Sequence, residues 1–396
     1  MQKTPAKRFD IIFDQYFTPS IKDYERIQRG NVSSIDYKIT GPEQTRPKDF
    51  NKELRNSKFK DALVRFLIEH WGAVEMVPFI GNSTIKLNYD VCYTFTSDGA
   101  SVSKIVDEEM SCELQEEADT KIVYHVCKAV CENVLIKCSD TDILIIMLGN
   151  MDHLSHDELH IFMELGTGNN KRCIDINDLS EQLGPSLCQS LPGFHALTGC
   201  DYSPAFYRKG KKRPFQILKK SPEYQNAFIE LGNINSIATK THIFKMLEKF
   251  VCEMYNLRNI NDVNSGRFSK FWETYKASNV NEVFQKQLKN FDASSLPPCK
   301  TELHQQLLRA QYIGNTWRNA YLKSPTCYIP ESNGWVRNGQ FLSFNWFDGD
   351  QFPQSVLGAV IETPSTNDNI ESDAEAEEIE NDYFSSDSES ISDIEN

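Results

Sequence analysis

Acidic side chains stand at the ends of the apolar runs of this 396-residue chain, and that placement is what suggests chemistry. Asp14 ends the strand expected within Arg8–Phe17, and Glu117 and Asp119 open a run of helical spacing. Asp140 follows the strand-like Val134–Cys138, with Asp142 two residues on, and Asp201 stands in Leu197-Thr198-Gly199-Cys200-Asp201-Tyr202. In open α/β sheets, sites form outside the carboxyl ends of the strands. Carboxylates gathered there repel one another. Divalent cations relieve that repulsion, and oxygen-only ligation suits Mg²⁺ or Mn²⁺. Two such ions about 4 Å apart activate a water and stabilise the leaving oxygen of a phosphodiester. Taken singly, each acid is better explained by solvation or by a place at a helix start, as for Glu117 and Asp119. The set and its order carry the expectation of a metal-dependent phosphodiesterase.

Positive charge has two candidate roles. Lys22, Arg26 and Arg29 fall on one expected helix, Ile21 to Gly30, where Lys22 and Arg29 are placed to steady charge at a scissile phosphate. The run Arg208-Lys209-Gly210-Lys211-Lys212-Arg213 puts five basic residues after Asp201. It is read as a grip on the nucleic-acid backbone through Lys209, Lys211, Lys212 and Arg213. A solvated loop or a nuclear localisation signal are the plainer alternatives. His153, His156 and His160 lie in a polar turn without a cysteine partner at finger spacing, so a solvated loop explains them better than zinc. Cys127 and Cys131, one helical turn apart, read as core. No GxSxG, HExxH or P-loop is present, so acyl transfer, zinc proteolysis and nucleotide hydrolysis have no motif behind them.

The elements that must hold these residues follow from periodicity. Arg8–Phe17 reads as a buried strand, Phe59–Trp71 as a helix and Lys86–Phe95 as a strand. Ala118, Ile122, Val126 and Val130 recur every four residues and make one face of a helix over Glu117–Cys131. Val134–Cys138, His160–Leu165 and Arg172–Ile176 read as short strands, and Asp178–Leu191 as a helix. Helices alternating with short buried strands predict an α/β domain with a mostly parallel sheet flanked by helices, over residues 1–220. Beyond it the strand signal fades. Thr241–Tyr255 and Thr301–Leu322 have helical spacing, so 221–363 is expected to be a mainly helical extension with an aromatic-rich C-terminal piece.

Composition narrows the class. The chain is 40% hydrophobic and 25% charged, and no run approaches the roughly 18 apolar residues of a membrane span. Met1–Phe9 is too polar for a signal peptide, and eleven cysteines without a CxxC pair read as reduced thiols. With the basic run, this predicts a nuclear, or else cytoplasmic, location. Residues 364–396 hold twelve of the 56 acids and no Lys or Arg. Without them, 42 basic face 44 acidic side chains, so the net charge of −14 belongs mostly to the tail. That segment is expected to be a disordered acidic tail, either solubilising or a binding segment for a basic protein partner or a DNA mimic.

Taken together, Phe13-Asp14, the start Ile21-Lys22 through Arg29, Glu117-Ala118-Asp119, Asp140-Thr141-Asp142 and Gly199-Cys200-Asp201-Tyr202 resemble the flap endonuclease/XPG branch of the PIN-like nucleases. That family has an "FD" after a strand, a basic helix start, an "EAE" helix start, a "D-x-D" and a "GSDY", in this order. It then runs into a basic, glycine-containing helix–turn–helix, where this chain has Arg208–Arg213. The resemblance covers roughly residues 9–220. Its early first strand, ending in a further Asp, has no counterpart before Asp14, and Asp10 is a partial substitute only. The resemblance implies a PIN-like fold and a Mg²⁺- or Mn²⁺-dependent nuclease with two ions. Asp14, Glu117, Asp119, Asp140, Asp142 and Asp201 would be the ligands, and the substrate nucleic acid, DNA ahead of RNA. Its alternative is a catalytically inactive nucleic-acid-binding or scaffold protein, derived from a mobile element.

Overall fold

The computed structural model describes residues 6–349, apart from 24–25, 27–36, 55, 139, 167–170, 234–236, 258, 275–291 and 327. Most of the expected helix bearing Lys22 and Arg29, Arg29 itself, and the acidic tail lie outside the described residues.

Strands β1 (Arg8–Ile12), β2 (Thr84–Asn88), β3 (Cys92–Ser97) and β4 (Val102–Val106) form one sheet in the order β1-β2-β3-β4. Strands β5 (Asn133–Lys137), β6 (His160–Leu165) and β7 (Arg172–Asp175) form a second, and β8 (Trp335–Asn338) and β9 (Phe341–Phe344) a small hairpin. The chain is thus mixed α/β, but its sheets are not mostly parallel. Only β1–β2 and β5–β6 run parallel, and β2–β3, β3–β4, β6–β7 and β8–β9 are antiparallel. The reason is connection length. A parallel pair needs a crossover, and among the links that join two paired strands of one sheet, the described residues hold helices in β1–β2 and β5–β6 alone. The single strand expected over Lys86–Phe95 is split by a turn at 89–91, where the Asp90 side chain accepts from the Val91 N–H at 2.8 Å. A second turn at Gly99 (φ 88°), braced by Asp98 on the Ala100 and Ser101 N–H groups, returns β4.

The helices used below are α1 (Ser57–His70), α2 (Ala118–Cys127), α3 (Asp142–Gly149), α4 (Ile176–Leu183), α5 (Pro185–Thr198), α6 (Lys212–Lys220), α7 (Pro222–Leu231), α8 (Ile237–Met254), α9 (Val263–Thr274) and α10 (Lys300–Arg318). Helix α1 buries Phe59, Val64 and Ile68, and the latter two join the Ile85, Leu87 and Phe95 cluster of the first sheet. Helix α3 is buried from Ile143 to Gly149, which explains why its sequence is apolar all round. The helix expected over Asp178–Leu191 is two helices. Gly184 (φ 79°) ends α4 in a conformation open mainly to glycine, and Pro185 starts α5.

Helix α5 is the centre of the larger core, packed by α3, α7 and α10. That core runs without interruption from Val123 to Leu342, so the helical extension beyond residue 220 shares its interior with the α/β part. The approach is closest at Gly193 of α5. A Cβ there would stand 2.7 Å from the Phe228 carbonyl oxygen of α7, and one on Gly314 of α10 would stand 3.3 Å from the Gly193 Cα. Among the described residues no helix is long and apolar enough to cross a membrane, and the ten described cysteines are free thiols. Gly193→Ala therefore forces backbone apart rather than a side-chain tip. We expect a loss of about 1–3 kcal/mol in unfolding free energy, read as a lower urea midpoint with an unchanged slope.

Candidate active site

Each expected carboxylate stands where a strand or helix begins or ends. Asp14 follows β1, and its Oδ1 accepts from the Ala118 N–H at the start of α2 at 3.0 Å. Glu117 occupies the N-cap position of α2 and Asp119 its first turn, where the helix dipole favours negative charge. Asp140 follows β5 and accepts from the Asp142 N–H at 3.0 Å, while Asp142 opens α3. Asp201 sits in a turn closed by reciprocal backbone bonds between Cys200 and Ser203, of 2.9 and 3.1 Å. Gly199 leads into it at φ 120°, where a Cβ would strike Ala205. Buried Lys121 holds the frame together. Its ammonium donates to the Phe13 and Tyr89 carbonyls at 3.2 and 2.6 Å, tying α2 to the end of β1 and the β2–β3 turn.

The chain brings these acids, from well-separated segments, within electrostatic reach of one another and of Lys22. The Lys22 ammonium pairs with Glu117 Oε2, stands 4.0 Å from Asp201 Oδ2 and lies 4.9 Å from the centre of the Tyr202 ring. Burial alone would lower its pKa, but Glu117, Asp14, Asp119 and Asp201 raise it, so Lys22 stays a cation.

The acids divide into two groups. Burial and then Glu117 and Asp140 push Asp119 well up, and burial and Asp14 push Glu117 up against the pull of Lys22. Loss of solvation and the Asp142 charge push up Asp140, which stands at the exposed rim. Asp14 and Asp142 go the other way. Against the cost of burial, Lys22, the Ala118 N–H and Lys60 hold Asp14 down, and His195 and Lys211 hold Asp142 down.

The donor set is all oxygen, as Mg²⁺ or Mn²⁺ requires. Glu117 Oε1 is buried without a well-aligned hydrogen bond among the described residues, although the Tyr202 hydroxyl is directed at the same carboxylate. A buried carboxylate oxygen left unsatisfied calls for a ligand or a water. As the side chains stand, no group of three or more His, Cys, Asp or Glu among the described residues is arranged to hold one metal ion. The Lys22 ammonium lies instead between Glu117 and Asp201.

The basic run is divided by the fold. Lys212 and Arg213 are exposed at the start of α6. Lys209 lies 4.4 Å from the Tyr255 ring centre, and burial with the Lys270 and Arg213 charges lowers its pKa. Arg208 stands 3.8 Å from Asp292. Lys211 differs from the expectation of a backbone contact: its ammonium turns inward, 2.7 Å from His195 Nδ1. Of the three histidines weighed for zinc, His153 stacks on Tyr321 at 3.5 Å between ring centres.

Two residues of the site, His195 and Glu116, had no sequence signal of their own, and a third, Tyr202, had only a motif position. His195 is buried in α5 with Nε2 2.9 Å from Asp142 Oδ1. Glu116 is held by Arg26 at 2.8 Å and by the Ser20 hydroxyl at 2.7 Å, and burial beside Glu117 raises its pKa to about 7. Tyr202 is buried against Glu117. Only the side chain's place in the Gly199–Tyr202 motif pointed towards Tyr202.

Comparison with protein-family models, with curated proteins and with solved structures found no match to this chain.

Asp10 is engaged away from the cluster. Its Oδ2 lies 2.6 Å from His125 Nδ1 and accepts from Arg8 at 2.6 Å. Burial would raise its pKa, but His125 and Arg8 bring it down to about 2. A depressed carboxylate contributes stability that is present above its unfolded pKa and is lost as the pH falls through the folded value. Asp10→Asn should therefore cost roughly 2 kcal/mol at neutral pH. The gap from wild type should close between pH about 4 and about 2, as followed by chemical denaturation at stepped pH.

Proposed function

We propose that this chain is a PIN-like nuclease of the flap endonuclease/XPG type that hydrolyses phosphodiester bonds in nucleic acid, DNA ahead of RNA. The observation that supports this most is the meeting of Asp14, Glu117, Asp119, Asp140, Asp142 and Asp201 around Lys22. A fold has little reason to gather that many partly buried acids unless cations join them. The buried Glu117 Oε1, without a well-aligned hydrogen bond among the described residues, supports the same reading.

In this proposal the six carboxylates hold Mg²⁺ or Mn²⁺. Bound there, the ions supply Lewis-acid polarisation of the phosphodiester and of the attacking water. The other groups act directly on the substrate. Lys22, kept cationic by its acidic neighbours, turns its charge from Glu117 towards the scissile phosphate. Lys209, Lys212 and Arg213 hold the flanking backbone, and none of these steps needs a side-chain nucleophile. A second reading, an inactive nucleic-acid-binding protein of the same type, is favoured by one feature. Lys22 already balances Glu117 and Asp201 from within the chain.

Cleavage of single-stranded, duplex and flapped DNA and of RNA, with Mg²⁺ or Mn²⁺, tests the proposal. We expect the wild type to cut and chelation to stop it. The Asp140→Ala/Asp142→Ala protein, matched to wild type by circular dichroism, should not cut. Persistent cleavage by that folded variant sinks the mechanism, and a folded wild type that binds but does not cut selects the inactive reading. In the binding assay, Lys212→Ala/Arg213→Ala should weaken affinity evenly across sequences. It should also reduce the slope of log K against log salt by about 1–2.

A further inference from the structure

His195 sits on α5, 7% exposed, with its ring 5.7 Å from that of Trp317 on α10. The ring nitrogen Nε2 is 2.9 Å from Asp142 Oδ1, and the Lys211 ammonium stands beside the ring, 2.7 Å from Nδ1 and 3.1 Å from Nε2. The Asp142 carboxylate and the Lys211 ammonium together fix where the ring stands.

Among the described residues Asp142 has no other clamp of this kind. It opens α3 without a side-chain cap, and its neighbour Asp140 is at the exposed rim. Without a donor at Oδ1 the carboxylate is free to rotate among like charges. Helix α5 is held by α3, α7 and α10, so His195 rides on the most firmly packed element of the chain.

We infer that His195 is a positioning residue that locks one oxygen of Asp142 and leaves the other aimed into the carboxylate cluster, and that Lys211 serves by holding His195. This rests on the nuclease reading of that cluster. Partners of this kind orient ligating groups, and losing one typically costs about 10–100-fold in metal affinity. Gln places an amide N–H close to where the imidazole Nε2–H stands, and Ala places none.

The test is Mn²⁺ binding without nucleic acid, read from the free-ion signal in electron paramagnetic resonance. Wild type, His195→Gln, His195→Ala and Lys219→Met are compared, with circular dichroism and thermal melting on each. Lys219→Met removes an exposed charge of α6 that has no part in the His195 contact. We expect His195→Ala to bind Mn²⁺ about 10–100-fold more weakly. His195→Gln should recover most of the loss, and Lys219→Met should match wild type. Equal Mn²⁺ affinity for wild type and a folded His195→Ala overturns the inference and leaves the metal reading standing. A loss that His195→Gln does not recover, although folded, also overturns it, because the donor to Asp142 is then irrelevant. If the wild type binds no Mn²⁺, the metal reading and the inference fall together.

Discussion

Repulsion between buried like charges is the constraint around which this structure is arranged. The carboxylates lie within electrostatic reach of one another, and loss of solvation pushes Glu117, Asp119 and Asp140 towards the neutral form. The chain answers in three ways. Lys22 puts a positive charge among them. The starts of α2 and α3 direct backbone N–H groups at Asp14 and Asp140. Lys60 and His195 take up Asp14 and Asp142 at the edges. The compensation is unequal, so Asp14 and Asp142 are held ionised while Glu117, Asp119 and Asp140 are pushed the other way. A site so divided has residual attraction for added positive charge, the property a cation site needs.

The frame that tolerates this repulsion is supplied largely from far along the chain. Gln306 of α10 donates to the Leu197 and Pro204 carbonyls, at 2.9 and 3.0 Å, on either side of Asp201. Gln115, two residues before Glu117, donates to the Leu322 carbonyl at 2.7 Å. The Leu342 N–H of β9 donates to Asp23, next to Lys22, at 3.2 Å. Arg309, fully buried, secures the hairpin that carries β9 through the Gly334 and Asn345 carbonyls. Residues 300–344 thus brace three loops of the site, and the extension works as its scaffold.

Much of the site could be read from the sequence because acids at the ends of apolar runs break a pattern. Asp201 follows a buried helix and Glu117 and Asp119 precede one, but the strand before Asp14, expected to be buried, is only half-buried along its length, and in the strand before Asp140 only Ile136 is buried. What escaped that reading shares one feature. His195 sits within an apolar helix and meets Asp142 from 53 residues away, and Glu116 is one more acid in an acidic stretch. Lys211 looked like its neighbours in the basic run, and only the packing of α5 against α6 turned it inward.

The division is physical. Burial follows from local composition, so the sequence by itself determined which segments are apolar enough to be buried and that charged side chains interrupt them. It also set the α/β character but not the extent of α2, which ends at Cys127, so that Val130 of the expected apolar face and Cys131, expected in the core, are exposed. Strand pairing depends on turn geometry and crossover length, so tertiary structure decided that β2 and β3 form a hairpin and that the sheets are mixed. It decided, too, which cation balances which acid. That balance depends on distance through space at low dielectric, and the Lys22–Glu117 pair spans 95 residues of chain. Spacing along the sequence carries no record of it.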